Sequence, residues 1–300
     1  MLTTTSKRGK SKWLLWLFLL PSVLLVLGMY LYPAVQTVLF SFARVDFVSF
    51  EIERYVGLDN YIRLLQDSQF QQIIGRTLYF GLMIAFVSLV FSFLIALLLN
   101  QPFFGRSIVR TAVLLPWAVP PVVSGVMWGQ MFHAESGIIN AMLYQLGLTN
   151  GNTVWLGNPT SALHIIMMVE IWRAIPFLTL FILAGLQNIN NQIYEAASID
   201  GANLWQKFRY FMLPLMFPVL IPLVVIQFSF AMKAFDSIFV LTRGGQNTAT
   251  LNYFVYRESF QNYDMSTGAS AAYILLALTL VVIGVLMLAA RRISKGGEAG

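Results

Sequence analysis

Four ionisable residues sit inside or at the edge of long apolar runs, and their spacing is where this chain could do chemistry. Glu170 and Arg173 are three residues apart within the run 162–186 and so share one helical face. Lys233 and Asp236 repeat that spacing at the end of the run that starts at Pro214. A charge in mid-membrane costs about 2.5–3.5 kcal/mol on insertion scales and normally faces a polar cavity or a partner. Four charges of balanced sign predict a hydrated interior rather than an ion-selective ring. The plainer alternative is a pair of salt bridges that only orient the helices. Trp172, Phe177, Phe228, Phe230 and Phe235 lie on the same two runs. Aromatic faces interleaved with polar groups suit a neutral, hydroxylated ligand, whose C–H faces stack while its hydroxyls hydrogen-bond. Contact with lipid is the commoner explanation of any one of these rings.

Other chemistries lack their residues. The chain has no Cys and two His, so a disulfide framework, a thiolate metal site and a His-rich metal cluster are all unavailable. Gly244–Gly245 is not followed by Gly-Lys-Ser/Thr, and no P-loop occurs elsewhere. An intramembrane hydrolase would have to use Ser229 and His164, which lie on separate runs with no G-x-S-x-G around the serine.

The elements that must position the charges are membrane helices. Of 300 residues, 58% are hydrophobic and 11% charged, with a mean hydropathy of +0.71. A soluble domain carries about 25% charged residues. The net charge of +6 comes from Lys and Arg at the ends of apolar runs, which indicates membrane orientation and not nucleic-acid binding. Runs long enough to span a bilayer occur at about 13–42, 73–99, 111–132, 162–186, 214–235 and 269–290. The expected fold is an all-α polytopic membrane protein with six transmembrane helices in one domain, 1–300. The first run is too long for a signal-peptide core and has no prompt cleavage site, so it reads as an uncleaved anchor.

Eleven Lys and Arg fall on one side: residues 7–12, the 100–110 loop, the 187–213 loop and residues 291–295. Five fall on the other. Both termini are therefore expected in the cytoplasm. In the first outer loop, Leu58, Ile62 and Leu65 share a helical face behind Asp59, either as a platform for a partner or as an interfacial helix anchored by Tyr61. Pro214, Pro218 and Pro222 recur every four residues, Pro116, Pro120 and Pro121 interrupt the third run, and Pro176 follows the charged pair. Breaks are expected there. Gly125-x-x-x-Gly129 permits close helix contact.

The inner 187–213 stretch reads as two short helices, Asn191–Ile199 and Asn203–Phe211, around a turn. Within it, Glu195-Ala196-Ala197-Ser198-Ile199-Asp200-Gly201-Ala202 precedes Phe211-Met212-Leu213-Pro214. This resembles the EAA loop that marks the membrane subunits of binding-protein-dependent ABC importers: E-A-A, three residues, G, nine residues, I-x-L-P. The one departure is Phe211 in place of Ile. Val56-Gly57-Leu58-Asp59-Asn60-Tyr61, Trp172-Arg173-x-x-Pro176-Phe177, Ala184-Gly185-Leu186-Gln187, Phe235-Asp236 and Leu241-Thr242-x-Gly244-Gly245 are similar to the carbohydrate branch of that family. Arg76 stands before Thr77 where that branch more often has Asn. The resemblance covers most of residues 13–290.

It implies a type I ABC importer transmembrane fold and a non-enzymatic permease subunit for a sugar, whether a mono- or oligosaccharide or a related polyol or glycerol-phosphate-type solute. It implies a homologous second permease, two ABC ATPase subunits and an extracytoplasmic solute-binding protein as partners, in a bacterial or archaeal cytoplasmic membrane. No cofactor is held by the chain itself; ATP and Mg²⁺ are bound by the ATPases. ATPase coupling is assigned by this resemblance to Glu195, Ala196, Ala197, Asp200, Gly201, Ala202, Leu213 and Pro214. In the related maltose system, sugar contacts come from two spans whose positions match Glu170, Arg173, Ala174 and Phe177, and Gln227, Phe230 and Ala231. With Lys233 and Asp236 these form the expected pathway set. An ion-coupled secondary transporter is the alternative; it needs an intramembrane proton or sodium site, for which Glu170 alone is available, and transport that persists without ATP. Reporter fusions should read as external after Ser49 and Thr248 and as cytoplasmic after Gly105 and Asn191; the reverse pattern would overturn the orientation.

Overall fold

The computed structural model describes residues 8–297, with side chains for Trp13 and for Trp16–Ala290. The basic clusters at residues 7–12 and 291–295 that fix the orientation lie outside the described side chains. The chain divides into two compact units: residues up to Leu65 with Val255–Tyr273, and Gln66–Phe254 with residues from Ile274 onward.

In the first unit, α1 (Arg8–Val26), a π-helical turn (Leu27–Leu31) and α2 (Tyr32–Ser41) form the first long apolar helix. A short hairpin follows, β1 (Ala43–Val45) pairing antiparallel with β2 (Ile52–Tyr55). Its tip is tied by Asp46, whose carboxylate accepts from Ser49 N at 2.7 Å, Ser49 Oγ at 2.9 Å and Val48 N at 3.0 Å. Those donors, the Ser49 amide first, hold the Asp46 pKa below the ordinary carboxylate value. In α3 (Asp59–Gln66), buried Asn60 donates to Ser41 O at 3.1 Å and Ala43 O at 3.0 Å, while Tyr61 Oη donates to Ser41 Oγ at 2.7 Å. The helix packs through Asn60 and Leu64, and the Leu58, Ile62 and Leu65 face is left exposed.

The second unit is built on α4 (Ser68–Asn100), α5 (Arg106–Ala118), α6 (Pro121–Met131), α7 (Ile138–Gln145) and α8 (Pro159–Gln187). It continues with α9 (Asn191–Ile199), α10 (Leu204–Gln206), a π-helical turn (Lys207–Met212), α11 (Leu213–Met232), α12 (Asp236–Leu241) and most of α13 (Leu251–Tyr256). Helix α14 (Met265–Gly297) begins in the first unit and ends in the second. Asp67 caps α4 by accepting from Gln69 N at 2.8 Å, and Asn158 caps α8 by accepting from Thr160 N at 2.9 Å ahead of Pro159. Buried residues on α4 recur at three- and four-residue steps from Phe70 to Leu99, the stripe a helix needs to bury one side. That stripe packs on α8 and α11, with Leu178, Ile182, Leu186, Met216 and Leu220 completing the core at one end. Ser92 Oγ reaches across to Ile175 O at 3.1 Å.

Three sequence expectations are corrected here. The run 111–132 is two helices, α5 and α6, bent by 97°. Val119 and Pro120 each precede a proline and are extended, with ψ of 125° and 144°; a proline ring excludes the helical region for the residue before it. Among the described residues, five helices are long and apolar enough to cross a membrane, or six if the bent pair counts as one span. Second, Pro218 and Pro222 do not break their helix, which runs on to Met232. The break comes at 233–235, without proline. Lys233 and Asp236 therefore flank a turn and do not share a helical face. Third, the helix expected at Asn203–Phe211 has no end of its own: the chain is helical without interruption from Leu204 to Met232.

Gly125 is needed for close approach, since a Cβ there would stand 3.1 Å from Val240 Cγ1 on α12. Val240 is β-branched and yields little. Gly125→Val should lower thermal stability of the detergent-purified protein by about 1–3 kcal/mol through overpacking. Gly284→Val, where a Cβ meets nothing within 4 Å, should leave the melting temperature nearly unchanged. Equal melting of both variants would contradict this packing.

Candidate functional site

A cavity of about 430 Å³ opens among α5, α6, α8, α11 and the 233–236 turn. All nine expected pathway residues line it: Glu170, Arg173, Ala174 and Phe177 from α8, Gln227, Phe230 and Ala231 from α11, and Lys233 and Asp236 from the turn. On an α-helix, positions 170, 173, 174 and 177 fall on one face, as do 227, 230 and 231.

Arg173 Nη1 stands 3.4 Å from Glu170 Oε2, longer than a well-formed N–H···O contact. The second carboxylate oxygen of Glu170 accepts from Ser237 Oγ. The two charged side chains are 16% and 22% exposed, so each keeps an edge on the cavity. Arg173 Nε is buried without a hydrogen-bond partner, which leaves this guanidinium with donor capacity that the protein does not use. Lys233 Nζ lies 5.7 Å from the Phe230 ring centroid, a cation–π contact. Asn252 Nδ2 donates to Lys233 O at 2.7 Å and pins the turn.

Trp117 stacks on Phe177, with centroids 6.3 Å apart and planes at 29°. Phe230 and Phe235 add further aromatic wall. Trp172 and Phe228 do not line the cavity. Trp172 meets Trp128 edge-on at 5.6 Å, and Phe228 is fully buried, close to Gly81 of α4. Trp117, Pro121 and Ser237 are the residues that sequence reasoning missed. The Pro120–Pro121 pair was the available signal for the first two, because a sharp bend there brings both helix ends to one place. A serine beside Asp236 gave no signal at all.

The other expected set lies around the 195–214 stretch. Asn190 caps α9 by accepting from Gln192 N at 3.0 Å. Gly201 then turns the chain with φ +78°, a left-handed conformation that costs a side chain strain. Asn203 Oδ1 accepts from Gln206 N and Gln206 Oε1 accepts from Asn203 N, both at 2.8 Å, a reciprocal cap for the long helix that follows. Lys207 Nζ donates to Ser198 Oγ at 2.6 Å and ties the two arms together. Glu195, Ala196, Asp200, Gly201 and Pro214 are exposed, Ala197 is buried beneath them, and Ala202 and Leu213 are half-buried. Burial of the Tyr194 ring in α9 pushes its phenol pKa upward. Ile199 and Leu204 are 86% and 85% exposed at the turn, an apolar patch of the kind that marks an interaction surface.

The second arm of this stretch and one wall of the cavity are parts of one helix. Pro214 and Gln227 are thirteen residues apart on a single helix, about 20 Å at 1.5 Å per residue.

Comparisons with known proteins agree with this geometry. Residues 88–295 match the family described as binding-protein-dependent transport system inner membrane component. The chain is 34% identical over 285 residues to the trehalose/maltose transport system permease protein MalF of Thermococcus litoralis, covering 94% of this chain and 95% of that protein. It is 33% identical over 286 residues to the sn-glycerol-3-phosphate transport system permease protein UgpA of Yersinia pestis, again with 94% and 95% covered. A crystal structure of a bacterial ABC transporter that imports the acidic polysaccharide alginate superposes with a TM-score of 0.83 at 25% identity, covering 95% of this chain and 97% of that one.

Because Glu170 and Arg173 neutralise each other in low dielectric, removing one partner strands the other. Arg173→Met should cost about 3 kcal/mol of stability, and Glu170→Gln/Arg173→Met should recover most of it. Additive losses in that double-mutant cycle would show that the pair is not coupled.

Proposed function

As a member of the binding-protein-dependent transport system inner membrane components, this chain is a permease subunit of an ABC importer, and we propose that it translocates a sugar into the cytoplasm through the cavity between α8 and α11. The reading rests above all on one observation: the second arm of the 195–214 stretch, from Leu204 onward, and the cavity residues Gln227, Phe230 and Ala231 belong to a single unbroken helix, with α9 tied to that arm by Lys207 and Ser198. A push on the loop is thereby a displacement of the cavity wall.

The proposed partners are a homologous second permease, two ATPase subunits and an extracytoplasmic solute-binding protein, in a cytoplasmic membrane with both chain termini inside. The names of the relatives support a carbohydrate or polyol-phosphate substrate. So do the aromatic walls, against which sugar C–H faces stack. In the proposed cycle the loaded binding protein docks outside while ATP closes the ATPase dimer. Glu195 and its neighbours carry that closure through Gly201 and Leu213–Pro214 into α11, and the cavity changes the side to which it opens. Two bundle arrangements of similar free energy are required, each favoured by different contacts.

Two outcomes test the reading in reconstituted complex. Glu195→Lys and Gly201→Asp should leave binding-protein docking intact while lowering stimulated ATP hydrolysis at least tenfold or releasing the ATPase on co-purification. Unchanged stimulation and co-purification in both variants would refute the coupling role. Arg173→Ala should abolish uptake with the complex still assembled, and Gln227 and Phe230 substitutions should change which sugar stimulates hydrolysis. Normal transport in all three would place the pathway elsewhere. Uptake that continues in ATP-depleted vesicles would favour an ion-coupled carrier.

A further inference from the structure

Outside the cavity and the 195–214 stretch, two positive charges lie close together at the start of α5. Arg106 and Arg110 are one turn apart on α5 and converge on one neutral acceptor. With the Gln187 amide oriented oxygen-inward, its Oε1 accepts from Arg106 Nη2 at 3.2 Å and Arg110 Nη2 at 2.7 Å. Arg110 Nη2 also donates to Leu99 O at 3.3 Å. Neither arginine is in an ion pair among the described residues. The Nε atoms of both are buried with no hydrogen-bond partner. Two half-buried guanidinium groups with no anion beside them leave positive charge uncompensated, and burial raises the cost of such charge.

The turn that joins α4 to α5 carries exposed apolar rings: Phe103 and Phe104 are 42% and 106% exposed. Gly105, with φ +79°, opens α5 without a side-chain cap, so the first amides of that helix add positive potential at the same spot. The turn follows the 33-residue apolar helix α4, which is long enough to cross a bilayer. Guanidinium groups bind phosphate oxygens bidentately, and basic pockets between membrane helices hold lipid phosphates.

We propose that Arg106 and Arg110 bind the phosphate of an anionic phospholipid, whose acyl chains lie against Phe103 and Phe104. The bound lipid neutralises the two arginines and fixes the α4–α5 turn against Gln187 at the end of α8, the helix that carries Glu170 and Arg173. The apolar rim favours a lipid over a soluble phosphate.

The test uses the purified full chain in vesicles that contain photoactivatable phosphatidylglycerol. Crosslinks should concentrate in the peptide spanning residues 100–110 and fall at least fivefold in Arg106→Gln/Arg110→Gln. Phe104→Ser, a change at a fully exposed position, should reduce labelling about threefold with melting temperature unchanged. Millimolar inorganic phosphate should not compete, and phosphatidylcholine should compete poorly. Labelling of wild-type protein spread evenly over the spans would overturn the proposal, whether or not the variants fold. So would competition by inorganic phosphate, which would make the site one for a soluble anion, or unaltered labelling in both variants.

Discussion

Charge in hydrocarbon must be hydrated or matched, and the cavity of this protein is organised around that constraint. Glu170 and Arg173 stand on a helix of otherwise lipid-compatible composition. They persist because α8 turns them toward a space bounded by α5, α6, α11 and the 233–236 turn. Ser237 takes one oxygen of Glu170, Arg173 takes the other at a longer distance, and both side chains keep an edge on the cavity. The helix break after Met232 is part of the same arrangement. It brings Lys233 and Asp236 to the cavity mouth and delivers Ser237 to Glu170.

The backbone obeys a parallel rule. Hydrogen-bonding groups freed inside a membrane must find partners or water. The proline pair at 120–121 bends α5 and α6 sharply where the bend forms a wall of the cavity, while Pro218 and Pro222 sit within α11 and leave it continuous. Continuity there matters more than flexibility. In the proposed coupling, the uninterrupted helix from Leu204 to the cavity would carry displacement with little loss, whereas a flexible joint would absorb it.

Much of this was legible from residue types and spacing. Glu170 and Arg173 were conspicuous because ionisable groups are rare in membrane spans, and a three-residue step puts them on one face. The loop at 195–214 was legible because Glu195-Ala196-Ala197, Gly201 and Leu213-Pro214 stand at the spacing of the EAA loop, and α9 has the bounds expected of it. Tertiary relations were not legible. Proline spacing marks where a helix can break, but not whether neighbouring helices hold it straight, so the break was expected in α11 at the prolines and found beyond Met232. Nothing local to Ser237 or Trp117 points to Glu170 or Phe177; only the packing of α12 and the α5–α6 bend brings them there. Aromatic composition likewise could not separate Phe177 and Phe230, which face the cavity, from Phe228, which fills the core.

The central claim is that α8 and α11 face each other across a water-accessible path used by substrate. The chain contains no cysteine, so single cysteines introduced at Ala174 and Ala231 report on that path without background from this subunit. In the assembled complex, a membrane-impermeant thiol reagent should label both positions, at rates that change several-fold between nucleotide-free and ATP-bound states and fall when transported sugar is present. Failure to label either position in any state would contradict the account.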